Sequence, residues 1–116
     1  MTRPRILVFD DDLVRYPDFF DGVDADVRVV GHGREAVDEV SSFQPDLVLM
    51  DYSMGGAPNG AQVTRLLREQ RPWGELTILG ISTSRACNRE ILQAGADHAV
   101  QKHEALHWVE CWLADR

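Results

Sequence analysis

Five short apolar runs punctuate the chain, and between them the spacing of apolar residues changes. Arg5 to Phe9 and Leu47 to Met50 are apolar almost without a break, the pattern of parallel strands covered on both faces. Asp26 to Val30 alternates and is rich in β-branched residues, which predicts a second strand near a sheet edge. Leu76 to Ile81 reads as a fourth strand and His98 to Gln101 as a short fifth. The intervening stretches carry a helical period. Ala36, Val37 and Val40 share one face after the turn Gly31-His32-Gly33. Val63, Leu66 and Leu67 are expected inward, and Arg65, Arg68 and Glu69 outward, with Asn59 as the cap. Pro72 ends that helix and leaves Trp73 in a loop. A helix from about Arg85 carries Ile91 and Leu92 and stops at Gly95. The last, Glu104 to Leu113, gathers Ala105, Leu106, Val109, Trp112 and Leu113, with Trp108 at the border. Leu13 to Asp21 is the weak member: Pro17 lies inside it, so only a short, broken helix is expected.

Strand and helix alternate five times. That predicts an α/β fold: a single doubly wound five-stranded parallel sheet with helices on both faces, for which a known pattern of such sheets gives the expected order 2-1-3-4-5. The 116 residues suit one domain over 1–116. The net charge of −7 and the absence of a basic stripe argue against nucleic-acid binding. Cys87 and Cys111 match no metal-ligand spacing and are expected as reduced thiols. No apolar run approaches the roughly 18 residues of a membrane span, and no signal peptide is seen, so a cytoplasmic protein is expected.

The candidate chemistry lies at strand ends. The first strand runs into Asp10-Asp11-Asp12, and the third delivers Asp51. Ser82 and Thr83 follow strand four, and Lys102 follows strand five. In an open parallel sheet all of these fall on one edge, outside the carboxyl ends. Any one of them has an ordinary explanation. A strand-ending acid turns the chain, and one acid of the Asp10–Asp12 run, Asp12, serves as an N-cap. Their convergence does not have such an explanation. Several carboxylates held together call for a hard cation, and Mg²⁺ suits oxygen ligands beside phosphate. A lysine and a hydroxyl opposite match the oxygens of a phosphoryl group. The set therefore fits phosphoryl transfer, with an acyl phosphate forming on Asp51. Asp11 would hold the metal directly and Asp10 through water.

On these residues the chain resembles the CheY-like receiver domains of response regulators over essentially its whole length. The matching stretches are Ile6 to Asp12, Pro45 to Asp51 with Met54, Ala94-Gly95-Ala96-Asp97, and Lys102. The resemblance implies a flavodoxin-like fold and phosphorylation of Asp51 by a phosphohistidine on a histidine kinase or phosphotransfer protein. It also implies Mg²⁺ at Asp10, Asp11, Asp51 and the backbone carbonyl of Ser53. Lys102 would contact the phosphate, and Ser82 would supply a switch hydroxyl, with Thr83 as the alternative. It implies a conformational switch rather than an enzyme, read by a partner on the face of the fourth and fifth helices.

The chain departs from the pattern on the output side. His103 follows the lysine where proline is usual, and Ala99 stands three before it where an aromatic residue is common. Gly55 replaces a proline, Ala57-Pro58-Asn59 carries one extra residue, and the first helical segment is about one turn short. Three rival readings follow. Gly31-His32-Gly33-Arg34-Glu35-Ala36 fits a dinucleotide-binding turn, with Asp51 lying 20 residues beyond Gly31. Asp10 and Asp12 fit the acid pair of a metal-dependent phosphatase. A degenerate receiver that takes no phosphate would serve only to bind a protein. Of the histidines, His32, His98 and His107 are expected at the surface or at helix ends, and His103 is the only one expected near a phosphate.

Overall fold

The structure is a computed structural model that describes residues 3–70 and 75–116. Pro72 and Trp73 lie outside the described residues. Five parallel strands form one sheet: β1 (Arg5–Phe9), β2 (Asp26–Val30), β3 (Leu47–Met50), β4 (Thr77–Gly80) and β5 (His98–Ala99). Their order is β2-β1-β3-β4-β5, as expected. Four α-helices connect or follow them: α1 (Ala36–Phe43), α2 (Gly60–Gln70), α3 (Arg85–Ala94) and α4 (Ala105–Ala114).

The period of two along each strand divides the core. Leu7, Phe9, Val48, Met50 and Ile78 face one way, against Ala36 and Val40 of α1, Val63 and Leu67 of α2, and Ile91 of α3. Ile6, Val8, Leu47, Leu49 and Leu79 face the other way, against Ala105 and Val109 of α4. Every residue of β3 is fully buried. At roughly 1.5–3 kcal/mol for each large side chain, this strand contributes more to the core than its four residues suggest. Trp108 and Trp112 are half-buried and pack on the α4 side, and Trp108 meets the His98 ring at 5.6 Å. The second core face is thus completed by the borderline residues of the last helix.

Several expectations need correction. The first helix does not form: Leu13–Arg15 makes a 3-10 turn, and the chain then crosses the sheet face irregularly to β2. Leu13, Phe20, Val23 and Ala25 fill the layer that a helix would have filled. Leu66 and Leu92 are exposed, at 39% and 40%. The buried arc of α2 runs through Gly60, Ala61, Val63, Thr64 and Leu67. At about 100° per residue, Leu66 falls about 60° outside that arc and Arg68 falls within it. Arg68 accordingly turns inward rather than outward, with its side chain only 8% exposed. Its Nε donates to the Gly95 carbonyl at 2.8 Å, Nη1 to Leu76 at 2.6 Å and Nη2 to Asp97 at 2.7 Å. Asp97 also accepts the Ile78 N–H at 2.8 Å. One guanidinium thus ties α2 to the start of β4 and to the turn before β5. Asp97→Ala would leave it without its carboxylate, and we expect a loss of about 2–4 kcal/mol in urea unfolding. A loss below about 0.5 kcal/mol would show that the clasp is dispensable.

Candidate functional site

The sheet register sets the two central acids side by side. Phe9 pairs with Met50, so the next residues, Asp10 and Asp51, stand at neighbouring strand tips. Each continues the ladder by one bond: Asp10 N–H donates to Val30 at 3.0 Å, and Asp51 N–H to Phe9 at 2.9 Å. Asp10 is fully buried and Asp51 is 8% exposed. Asp11 is exposed. One carboxylate oxygen from each of Asp10, Asp11 and Asp51 lies within 4.8 Å of the others.

Asp10 is held on both sides. Its Oδ1 accepts the N–H groups of Asp12 at 2.8 Å and Leu13 at 2.9 Å. Asp10, not the expected Asp12, therefore caps the 3-10 turn. The Asp12 side chain pairs with Arg15 at 2.7 Å instead and stands outside the acidic cluster. That removes the Asp10 and Asp12 pair on which a phosphatase reading rests. Asp10 Oδ2 is buried with no hydrogen-bond donor aligned on it among the described residues. The Lys102 ammonium lies 2.8 Å from it and 3.8 Å from Asp51 Oδ2.

These neighbours set the protonation states. Burial raises Asp51, and the Asp10 charge raises it further. Lys102 and the Tyr52 N–H pull it back, and the balance leaves its pKa at about 6. Burial alone would lower Lys102, but Asp10 and Asp51 outweigh it and hold the amine above its usual range. The site therefore holds a fixed cation facing crowded acids, one of which ionises reluctantly. Three carboxylates with hard oxygen donors, one of them solvent-facing, fit a hard divalent cation.

The other candidates are placed by the same strand ends. Ile81 N–H donates to Met50 at 2.9 Å, which brings Ser82 just past the Asp51 row. Ser82 is buried, and its Oγ accepts the Ser84 N–H at 3.0 Å. Thr83 is exposed, as is Ser53 in the loop after β3. His103 is exposed in the 3-10 turn Lys102–Glu104. His32 differs from its surface expectation, because its Nδ1 is buried without a hydrogen bond. The dinucleotide reading loses its glycine. A Cβ at Gly33 would collide with Val63, so that glycine serves the packing of α2 on the turn.

Two supporting residues were not visible in the sequence. Gly60 opens α2 directly against the end of β3, and a Cβ there would collide with the Asp51 carbonyl. Its N–H donates to Tyr52 at 2.8 Å. Asn59, the expected cap, does cap α2, exchanging two hydrogen bonds with Gln62 at 2.8 and 2.9 Å. Asn88 of α3 is buried where the period calls for an apolar residue. A polar residue three before Ile91 was the available signal for it.

Residues 6–108 match the response regulator receiver domain family, and the chain belongs to it. It is a CheY-like receiver of two-component signalling, a class of signalling switch rather than of classical enzyme. Its relatives include the DNA-binding response regulator MtrA of Mycolicibacterium smegmatis, 35% identical over 86% of this chain and 44% of that protein. The DNA-binding transcriptional activator EvgA of Escherichia coli is 31% identical over 65% of this chain and 36% of its own length. The chain thus spans less than half of these curated relatives. Among solved structures, a CheY-like receiver domain from Methanospirillum hungatei has the same fold, with a TM-score of 0.77 at 19% identity, covering 98% of this chain and 96% of that one. None of the described helices is long and apolar enough to cross a membrane.

The raised Asp51 has a consequence for stability. An acid whose pKa is higher folded than unfolded favours folding while protonated, and that advantage is lost as pH rises through the folded value. In chelator, the stability of the wild type should therefore fall between about pH 4 and the folded value of about 6. Asp51→Asn should remove that fall and gain about 1–3 kcal/mol at neutral pH by chemical denaturation. A variant less stable than wild type at neutral pH would contradict the crowding.

Proposed function

We propose that the chain accepts a phosphoryl group on Asp51 from a phosphohistidine of a histidine kinase or phosphotransfer protein. The convergence of Asp10, Asp11 and Asp51 oxygens within 4.8 Å, with the Lys102 amine at 2.8 and 3.8 Å from two of them, carries this reading. An Asp51 carboxylate oxygen attacks phosphorus, the O–P bond forms, and the P–N bond to the donor imidazole breaks. The electron pair leaves with the imidazole nitrogen. An ionised carboxylate needs no general base, so the chain's work is positioning and charge.

Asp10, Asp11, Asp51 and the Ser53 backbone carbonyl would hold Mg²⁺. The buried Asp10 Oδ2, which meets only the Lys102 ammonium among the described residues, and the exposed Asp11 suit that role. When bound, the ion offsets negative charge on the carboxylates and the phosphoryl oxygens. Lys102 offers its ammonium to the phosphoryl group, and the buried Ser82 offers its hydroxyl in preference to Thr83. The modified domain is a two-state switch that a downstream protein reads on the α3 to α4 face. It turns over no substrate beyond the loss of its own phosphate. Cytoplasmic location follows from a kinase-fed role. The net charge of −7 gives this domain no part in contacting nucleic acid.

A second reading has its own support. Ala99 stands where other receivers commonly carry an aromatic switch residue, as a protein-binding module without phosphate would allow. Mass spectrometry with acetyl phosphate separates the two. Wild type with Mg²⁺ should gain one phosphoryl group, and chelator or Asp51→Asn should abolish it. Labelling that persists in Asp51→Asn would overturn the acceptor assignment, and no labelling of the wild type would favour the binding module. Lys102→Ala should still bind Mg²⁺ but respond weakly to phosphorylation; loss of metal affinity alone would remove its proposed role.

A further inference from the structure

Asn88 is the only buried carboxamide among the described residues. It occupies an inward position of α3, and its three hydrogen bonds all go to backbone. Its Oδ1 accepts the Ser82 N–H at 2.9 Å, and its Nδ2 donates to the Ser82 carbonyl at 3.1 Å. Those two bonds reproduce the pairing that a neighbouring strand would give Ser82. The same Nδ2 donates to the Val100 carbonyl at 3.0 Å. The sheet supplies no such link, because β5 ends at Ala99 and the bond from Val100 N–H to Gly80 is the last in register.

A second side-chain amide lies alongside. Gln101 Nε2 donates to the Thr83 carbonyl at 2.8 Å. Gln101 also starts the turn that carries Lys102, and its N–H donates to the Glu104 carboxylate at 3.2 Å. There is little slack between these groups. A Cβ at Gly80 would lie 3.1 Å from Asn88 Oδ1 and 3.3 Å from the Ala99 Cβ. Ala99 has no ring to swing, so side-chain rotation at that position cannot relay a movement.

We propose that the side-chain amides of Asn88 and Gln101 couple the turn after β4 to the segment after β5, so that Ser82 and Lys102 move as one body. Both are positioning residues, and the inference rests on the reading of Asp51 as phosphoryl acceptor. A displacement of Ser82 toward a phosphoryl group draws the Asn88 amide, and that amide draws Val100. Asn88, Ala99 and Val100 also line a surface cavity of about 220 Å³ with Arg85, Arg89 and Leu92. The coupling therefore carries a change at the acidic edge to the α3 face.

The test follows amide signals by NMR as beryllofluoride and Mg²⁺ are added, beside acetyl phosphate labelling of the same proteins. In wild type the Ser82, Val100 and Lys102 signals should shift with one midpoint. In Asn88→Ala the Ser82 signal should still move, while the Val100 shift falls about twofold or more. Gln101→Ala touches no core residue, and in it the Lys102 shift should fall while Ser82 still moves. A merely structural Asn88 would lower the melting temperature and leave the signals moving together. An unchanged Val100 shift in Asn88→Ala overturns the coupling; if that variant does not fold, an unchanged Lys102 shift in Gln101→Ala does so. Labelled wild type in which Ser82 moves without Val100 overturns the coupling and leaves the acceptor reading standing. Wild type that takes no label overturns the acceptor reading, and the coupling with it.

Discussion

Two carboxylates at neighbouring strand tips, shielded from most of the solvent, govern this molecule. At separations up to 4.8 Å and an effective dielectric constant of about 20, their repulsion is on the order of 3–4 kcal/mol. The displacement of Asp51 to about 6 is a cost of similar size, to which burial contributes most. Nothing in the packing of the sheet needs this arrangement. The parallel register of β1 and β3 imposes it, because each strand ends in an aspartate in the same row. Lys102 relieves part of the repulsion from across the edge. A small, hard cation would relieve more.

The rest of the chain keeps that edge rigid. β3 has no exposed residue, so the Asp51 backbone is anchored from both faces of the sheet. Gly60 lets α2 close directly onto the end of that strand. The Arg68 clasp fixes α2 against β4 and the turn before β5. The opposite face is built differently: a 3-10 turn and an irregular crossing replace one helix, and Phe20 and Val23 fill the gap. The acidic edge thus stands on closely packed strands and helices, while the flank beside β2 is irregular.

The strands and the acidic edge were legible in the sequence because both depend on short-range pattern, whereas the strand order came from the known arrangement of such sheets. Uninterrupted apolar runs mark buried parallel strands, and an acid at the end of such a run has one place to go. What escaped notice depends on how elements meet. Arg68 and Leu66 exchange their expected places because the buried arc of α2 is set by α3 and β4, not by its own apolar count. Asp10 takes the cap expected of Asp12 because the strand end aims Asp10 back at the turn. Gly60 carries no signal in the sequence, and only the approach of Asp51 shows why no side chain fits. Asn88 gave a faint local sign, a polar residue on an apolar stripe, whose meaning lay in strands outside its helix.

The most direct measurement of this account is the titration of the Asp51 carboxyl carbon by NMR, without and then with saturating Mg²⁺. The midpoint should lie near 6 in chelator and well below it once the ion occupies the cluster. A carboxyl that titrates in the ordinary range in chelator, or whose midpoint ignores saturating Mg²⁺, would contradict it.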